Sequence, residues 1–450
     1  MHGSVLELDE DGYEAGIAKY FGKLKALKDA DPDHTVILSA GDMYQGSFES
    51  NINYGALITD AMNYTGFDAM AVGNHEFDWG VERLLANKER ASFPMLGGNI
   101  MQYNPVKSKT PWNNGEFAKS TIIERGGNKI GIVGMIGQGQ TTSITSTFVQ
   151  DMDFVDPKDL SKEEALRLRN EEGCSMVLLV IHDKYANSTW AADKTYFDGV
   201  FNGHSHWYED EYMAGVPFVQ SGHNGGGISH IEITINNGVP ACSNYEIINA
   251  RSYWEADSNI QAIIDPYLAV DEYASKATAY AGHIDGTLSS GEGIPCIIEK
   301  AIWTKYAPLY SDLRCTMCNS QRANLSGDVY YKDISKATPF LNRIIIASIK
   351  GSDIIYESRY NYVYSEVSSY FDPNEYYTVA IIDYILFHQN TSKQFDYFTS
   401  LNEDFDNKII ATYETYPFDL VFDYIRDDLN GQVNVADFTS SSQGFGCYSL

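Results

Sequence analysis

Apolar residues recur along the first half of this chain in two spacings that take turns. Over residues 13–29, Ile17, Tyr20, Phe21, Leu24 and Leu27 follow the i, i+3, i+4, i+7 spacing of a helix with one buried face. Residues 35–39 are then a short continuous apolar run, the pattern of a strand covered on both faces. The same exchange repeats: helix over 55–64, strand over 68–72, short strand over 93–96, charged helix over 162–172, and strands over 176–181 and 198–201. Residues 121–136 read as a hairpin turning at Gly126-Gly127, and 216–220 and 228–235 as further strands, the last closed by Asn236-Asn237-Gly238. This alternation predicts an α/β domain with a largely parallel sheet at its heart, joined to some antiparallel hairpins.

Beyond it the rhythm changes. Residues 259–280 carry Ile260, Ile263, Ile264, Tyr267, Leu268 and Tyr273 on one helical face, so a linker helix is expected within 251–280. Residues 281–450 mix strand-like runs (342–350, 376–382) with helical ones and read as a second, α+β domain after a first of residues 1–250. At 450 residues the chain exceeds what one core usually organises, which agrees with two domains.

The polar residues matter by position. Asp42, Asn74, His182 and His204 each fall one to three residues past the carboxyl end of a predicted strand, where open α/β folds place ligands. The candidate donors are His2, Asp42, Asn74, His182, His204 and His206. Oxygen and nitrogen donors without thiolate suit zinc, manganese or a similar divalent ion. Six exceed one tetrahedral site with an open position, but suit two metals sharing a carboxylate, for which Asp42 is the natural bridge. His75, next to a presumed ligand, is placed to donate to a phosphate oxygen or leaving group. Asp78, one helical turn on, would hold its other nitrogen. Glu76 and Phe77 gain no role, and His34, His223, His230, His283 and His388 read as structural.

Composition narrows the partners. A formal charge of -29 disfavours a nucleic-acid polymer, whose binding depends on Lys and Arg replacing counterions, but leaves room for a small phosphorylated substrate at a metal centre. No apolar run approaches the roughly 20 residues of a transmembrane helix. Of six cysteines, Cys315 and Cys318 form a lone C-x-x-C, read as a local disulfide or two packed thiols rather than zinc.

Ser39-Ala40-Gly41-Asp42, Gly73-Asn74-His75-Glu76-Phe77-Asp78, Ile181-His182 and Gly203-His204-Ser205-His206 resemble, in order and spacing, the blocks of the calcineurin-like metallophosphoesterases, and more narrowly the 5'-nucleotidase/UDP-sugar hydrolase branch. The resemblance implies a four-layer α/β/β/α metal domain and a helix-linked nucleotide-specificity domain. It implies Asp42 bridging two divalent ions, His2 and His206 on one, Asn74, His182 and His204 on the other, and His75 with Asp78 as the catalytic dyad. The expected reaction is phosphoester hydrolysis of a nucleotide by metal-bound hydroxide. A 2',3'-cyclic-nucleotide phosphodiesterase/3'-nucleotidase, a UDP-sugar hydrolase and a non-catalytic surface binding protein are the alternatives. The family is typically extracellular or periplasmic.

Two departures qualify the resemblance. The family's first block is Asp-x-His-Gly, whereas this chain opens on Met1-His2-Gly3 without a signal-peptide pattern. The expectation is a chain cut short at its start, with the Asp and the strand before it missing. The second domain carries Asn319-Ser320-Gln321-Arg322 and Thr338-Pro339-Phe340-Leu341-Asn342, but no glycine block follows Asp383-Tyr384. Arg322 is expected to grip a phosphate, and Phe340 and Tyr384 to stack on a base.

Overall fold

A computed structural model describes residues 1–8, 13–104, 110–368, 370–390 and 392–438; Cys447 lies outside them. The chain divides into two compact units, Met1–Ile144 with Phe148–Val270, and Thr145–Thr147 with Asp271–Leu450.

In the first unit the helix Gly16–Ala30 leads into β1 (Leu38–Ser39). β2 (Ala69–Ala71) and β3 (Met95–Leu96) follow, each preceded by a helix, Ala56–Thr65 and Val81–Arg90. These three strands make a parallel sheet in chain order. β4 (Ile100–Gln102) and β7 (Met152–Phe154) form a separate antiparallel pair. The large sheet takes β5 (Ser120–Arg125), β6 (Asn128–Ile136), β8 (Met176–His182), β9 (Gly199–Asn202), β10 (Tyr208–Met213) and β11 (Val216–Ser221). Its order is β10-β11-β9-β8-β6-β5, with β6, β8, β9 and β11 parallel and β5 and β10 turned back as hairpin edges. β12 (Gly227–Asn236) and β13 (Val239–Asn249) are a hairpin with a bulge after Glu232.

The two sheets lie face to face, as the α/β/β/α layering implied by the resemblance requires and the alternation of helix and strand alone does not reveal, and the strand pattern shows how. All seven residues of β8 are buried. Met176, Leu178 and Val180 pack with Ala69, Ala71 and Leu96 of the small sheet. The alternate residues Val177, Leu179 and Ile181 pack with Leu160, Ala165 and Leu168 of the helix Pro157–Asn170. With side chains at period two, each face of β8 thus serves a different core. Glycines bring the layers close: a Cβ on Gly134 would fall inside the Leu96 side chain, and one on Gly131 would lie 2.8 Å from Leu168.

The helix expected over 259–280 is two, Ser258–Leu268 and Asp271–Ala277, and Tyr280 already starts a strand. The apolar periodicity hides the break because Ile260, Ile264 and Ala277 are all buried, yet Val270 between them is 53% exposed and Pro266 removes an intrahelical donor.

Among the described residues the second unit holds two sheets. β14 (Tyr280–Leu288) lies between β16 (Leu325–Tyr330) and β21 (Gln432–Asn434). The other sheet contains β15 (Leu313–Cys318), β17 (Ile344–Lys350), β18 (Tyr362–Tyr364), β19 (Tyr376–Ile382) and β20 (Ile409–Tyr413), in the order β18-β15-β19-β17-β20. Cys315 and Cys318 on β15 are free, buried thiols, not a disulfide.

Candidate metal centre

Four strand ends of the first unit converge, two from each facing sheet. β1 stops at Ser39 and the chain turns through Gly41 (φ +91°) to Asp42. β2 stops at Ala71, and Gly73 leads into a single 3-10 turn, His75–Phe77. β8 ends on His182 itself, and β9 is followed by Gly203-His204-Ser205-His206. The glycines at these ends are steric necessities. A Cβ on Gly41 would lie 2.6 Å from Gly73 N and 2.8 Å from His182 Nδ1, and one on Gly73 would collide with Asp42 Oδ1. On Gly203 it would meet the Ala40 carbonyl oxygen at 2.8 Å.

His2, Asp42, His204 and His206 all have positive φ, at +49°, +54°, +73° and +62°. Non-glycine residues in this region cost of order 1–3 kcal/mol each and persist only where their surroundings fix them. Four such residues around one point mark a centre where backbone comfort has yielded to side-chain placement.

Asp42 stands in the middle, belonging both to a group with His2 and His75 and to one with His182 and His204 whose donor atoms lie within 4.8 Å of one another. Asp42 Oδ2 is 3.2 Å from His182 Nε2 and 3.7 Å from His2 Nε2. On one side, His2 Nε2 and His206 Nε2 approach to 2.7 Å. On the other, Asn74 Oδ1 lies 3.0 Å from His182 Nε2 and 3.2 Å from His204 Nδ1.

Tautomers follow from the opposite ring nitrogens. His182 Nδ1 lies 2.6 Å from the Ala40 carbonyl and His2 Nδ1 3.3 Å from that of Gln45, so each donates there. Neutral His182 then turns a lone pair toward two oxygens, Asn74 Oδ1 and Asp42 Oδ2. Three acceptors facing one another repel unless a proton or a cation stands among them, and this donor set of imidazole, amide and carboxylate fits divalent ions.

Asp42 and His182 shift each other toward their charged forms, a proton being the alternative to a cation between them. Burial works against the charge on Asp42, but the His182, His75 and His2 imidazoles hold its carboxyl well below the usual range. Burial lowers His182 as well, and the Asp42 charge more than reverses it. His204, pressed by burial and by His182, falls to about 4 and is neutral at pH 7, as a ligand must be. His75 Nδ1 lies 2.7 Å from Asp78 Oδ2, and its backbone N–H donates to Asp42 Oδ1 at 2.9 Å.

Residues 1–208 match the profile of the calcineurin-like phosphoesterase family. They form a calcineurin-like phosphoesterase domain. Among curated relatives, an apyrase of Tabanus yao is 35% identical over 195 residues, 42% of this chain and 33% of that protein. A 5'-nucleotidase of Bos taurus is 25% identical over 381 residues, 75% and 65% of the two chains. The chain thus spans from about a third to about two thirds of the length of these relatives. In fold, the crystal structure of a 5'-nucleotidase precursor from Thermus thermophilus matches over 96% of this chain and 95% of its own, with a TM-score of 0.77 at 17% identity. Sulfate thiohydrolase SoxB from the same organism matches over 96% and 84%, with a TM-score of 0.72 at 14% identity. The fold is therefore the calcineurin-like metallophosphoesterase fold followed by a second domain.

Within this phosphoesterase domain the eight residues singled out from the sequence, His2, Asp42, Asn74, His75, Asp78, His182, His204 and His206, lie together. Glu76, set aside there, does not idle. Buried to 1% exposure, its carboxylate accepts the backbone N–H groups of Asp42 (2.8 Å), Met43 (2.8 Å) and Gly73 (2.6 Å), tying the ends of β1 and β2 into one unit. Burial and the neighbouring Asp42 charge raise its pKa. His223, read as structural, is exposed, with its ring 5.4 Å from that of His206. The signal for it was the Gly222–Gly227 stretch, which can only be a tight loop and whose place beside β9 is tertiary.

In the second unit the Arg322 guanidinium lies 5.4 Å from the Phe340 ring centroid, a cation–π pair. Tyr384 is half-buried in the helix Asp383–Leu386.

Proposed function

We propose that the protein is a dimetal phosphoester hydrolase of the 5'-nucleotidase type, acting on a nucleotide. The observation that carries this is Asp42 set between His2 with His206 and Asn74 with His182 and His204, beside the His75–Asp78 pair. Divalent cations held by these donors would polarise a phosphoryl oxygen and acidify a water. His2 and His206 would hold one ion, Asn74, His182 and His204 the other, with Asp42 shared.

The chain's own residues do the rest. Asp78 fixes the His75 ring, accepting from Nδ1–H and stabilising the imidazolium form, in which Nε2–H presents the proton the departing ester oxygen needs. The Ala40 and Gln45 carbonyls accept from Nδ1–H of His182 and His2, so that the neutral rings turn Nε2 toward the ions. Glu76 holds the two turns at a fixed separation. The relatives named 5'-nucleotidase and apyrase support a nucleotide as substrate, and Arg322, Phe340 and Tyr384 are the residues we assign to it in the specificity domain, residues 281–450. We place the protein outside the cytoplasm, extracellular or periplasmic. The disulfide at Cys296 supports an oxidising compartment, and among the described residues no helix is long and apolar enough to cross a membrane.

The test is hydrolysis of bis(p-nitrophenyl) phosphate, AMP, UDP-glucose and 2',3'-cyclic AMP with added Mn2+ or Zn2+, beside His75→Ala. We expect AMP to be preferred, and the variant to lose roughly 10²–10⁴-fold in kcat while calorimetry shows it still binding metal. Metal binding without turnover of any ester would leave a binding protein and end the reading.

A further inference from the structure

We infer that Gln220 is a positioning residue of the metal centre, the side chain that holds His204 and His206 in place through the segment they share. The inference rests on the hydrolase reading, which uses these histidines as ligands to different ions, and adds to it a residue that is itself no ligand.

Topology creates the need for a brace. The large sheet runs β10-β11-β9, so the chain leaves β9 at Asn202, arches over the end of β11 and returns as β10 from Tyr208. β11 is parallel to β9 and antiparallel to β10, which puts its last residues, Gln220 and Ser221, under that arch. Residues 203–207 belong to no strand, so no ladder of backbone hydrogen bonds sets their place. Within them His204 and His206, at φ +73° and +62°, flank Ser205. Such conformations persist only where the surroundings over-determine them.

Gln220 does this from below. Buried to 3% exposure, its Nε2 donates to Ser205 Oγ at 2.5 Å and to the Trp207 carbonyl at 2.8 Å. Both amide hydrogens are thus committed to the arch, one to the residue between the histidines and one to the residue after them. A backbone carbonyl only accepts, so the second bond also fixes which way the amide faces. Gly222 N–H donates to the same carbonyl at 3.0 Å, holding the far foot of the arch from a second point.

Core packing does not account for the amide. Val216 and Phe218 turn one face of β11 into the apolar core, and period two makes Gln220 the next residue on that face. Its Oε1 is buried without a hydrogen-bond partner among the described residues, a loss that buried polar groups normally avoid. The donor end is what justifies the residue, and that end serves the arch alone. Because His206 meets His2 on one side of Asp42 and His204 meets Asn74 on the other, one brace supports both halves of the centre.

Calorimetric titration with Mn2+ tests this. Gln220→Met keeps the bulk and loses the donors. It should bind Mn2+ about 10–100-fold more weakly, and both binding steps should weaken together because the arch carries a ligand to each ion. The metal-free variant should melt as wild type does, since the unpaired oxygen leaves with the donors. Ser205→Ala cuts one of the two bonds and should lose less, and the double variant should lose no more than Gln220→Met alone. At saturating Mn2+ the kcat of Gln220→Met on bis(p-nitrophenyl) phosphate should return to the wild-type value. Unchanged Mn2+ affinity, or a loss that tracks a drop in metal-free melting, overturns the inference and leaves the hydrolase reading standing. Wild-type protein that binds Mn2+ and hydrolyses no ester ends the hydrolase reading, while the affinity comparison still decides the role of Gln220. Wild-type protein that binds neither Mn2+ nor Zn2+ overturns both.

Discussion

At the scale of single residues, the centre is defined by what each side chain cannot do alone. Asp42, His204 and His206 hold left-handed backbones that ordinary residues avoid, and the strain is sustained because neighbouring turns are packed against them without room to relax. Glu76 is the clearest case of a residue whose chemistry is positional. Three backbone N–H groups point at one buried carboxylate, so Glu76→Gln places an NH2 group against a donor. The variant should melt lower by about 1–3 kcal/mol of stability, read by thermal unfolding, and bind Mn2+ more weakly because the turns of β1 and β2 are no longer held together. A melting curve identical to wild type would remove Glu76 from the argument. That His2, Asp42, Asn74, His75, Asp78, His182, His204 and His206 could gather at one place was legible in the sequence, because their types and their places after apolar runs are both local facts. Glu76 was not, since its partners are main-chain groups of another turn that no residue type announces.

At the scale of elements, the strand patterns carried most of the information. A continuous apolar run reports burial on both faces, and β8 is buried at every position. The run does not say what covers each face, and here one face meets a helix and the other a second sheet. Gly134 sits at that second contact. Gly134→Ala should force β6 away from β3 and destabilise the first unit by about 1–3 kcal/mol, the range of an overpacked core, with loss of metal affinity as the strand ends separate. Gly139→Ala, with open space around its Cβ, is the matching control for thermal melts. The division of the expected 259–280 helix has the same lesson: periodicity records which residues are buried, not whether the backbone between them is continuous.

At the scale of the whole molecule, 61 acidic against 32 basic residues leave a charge of -29, and some of the carboxyl groups are folded into the interior. Glu357 is one of them. It is 0% exposed, with Oε2 accepting from Asn361 at 3.0 Å and no partner for Oε1. Burial, opposed by the Asn361 hydrogen bond and reinforced by Asp396 and Asp353, lifts it from 4.5 to about 7. A carboxyl raised on folding binds its proton more tightly in the native state, so its contribution is intact below about pH 4.5 and is lost as pH rises through 7, on the order of 3 kcal/mol in all. Glu357→Gln should therefore raise the melting temperature little at pH 5 and by several degrees at pH 8; an equal gain at both would refute it. Taken by itself, the sequence determined the α/β alternation, the residues that gather at the candidate metal centre and the class of chemistry they suit, because periodicity, residue type and spacing are properties of the chain. Tertiary structure decided which face of β8 meets the small sheet and which meets a helix, that Glu76 braces the strand ends and that Cys315 and Cys318 remain thiols. Those depend on which distant segments meet, and contact between segments is settled by packing rather than by local pattern.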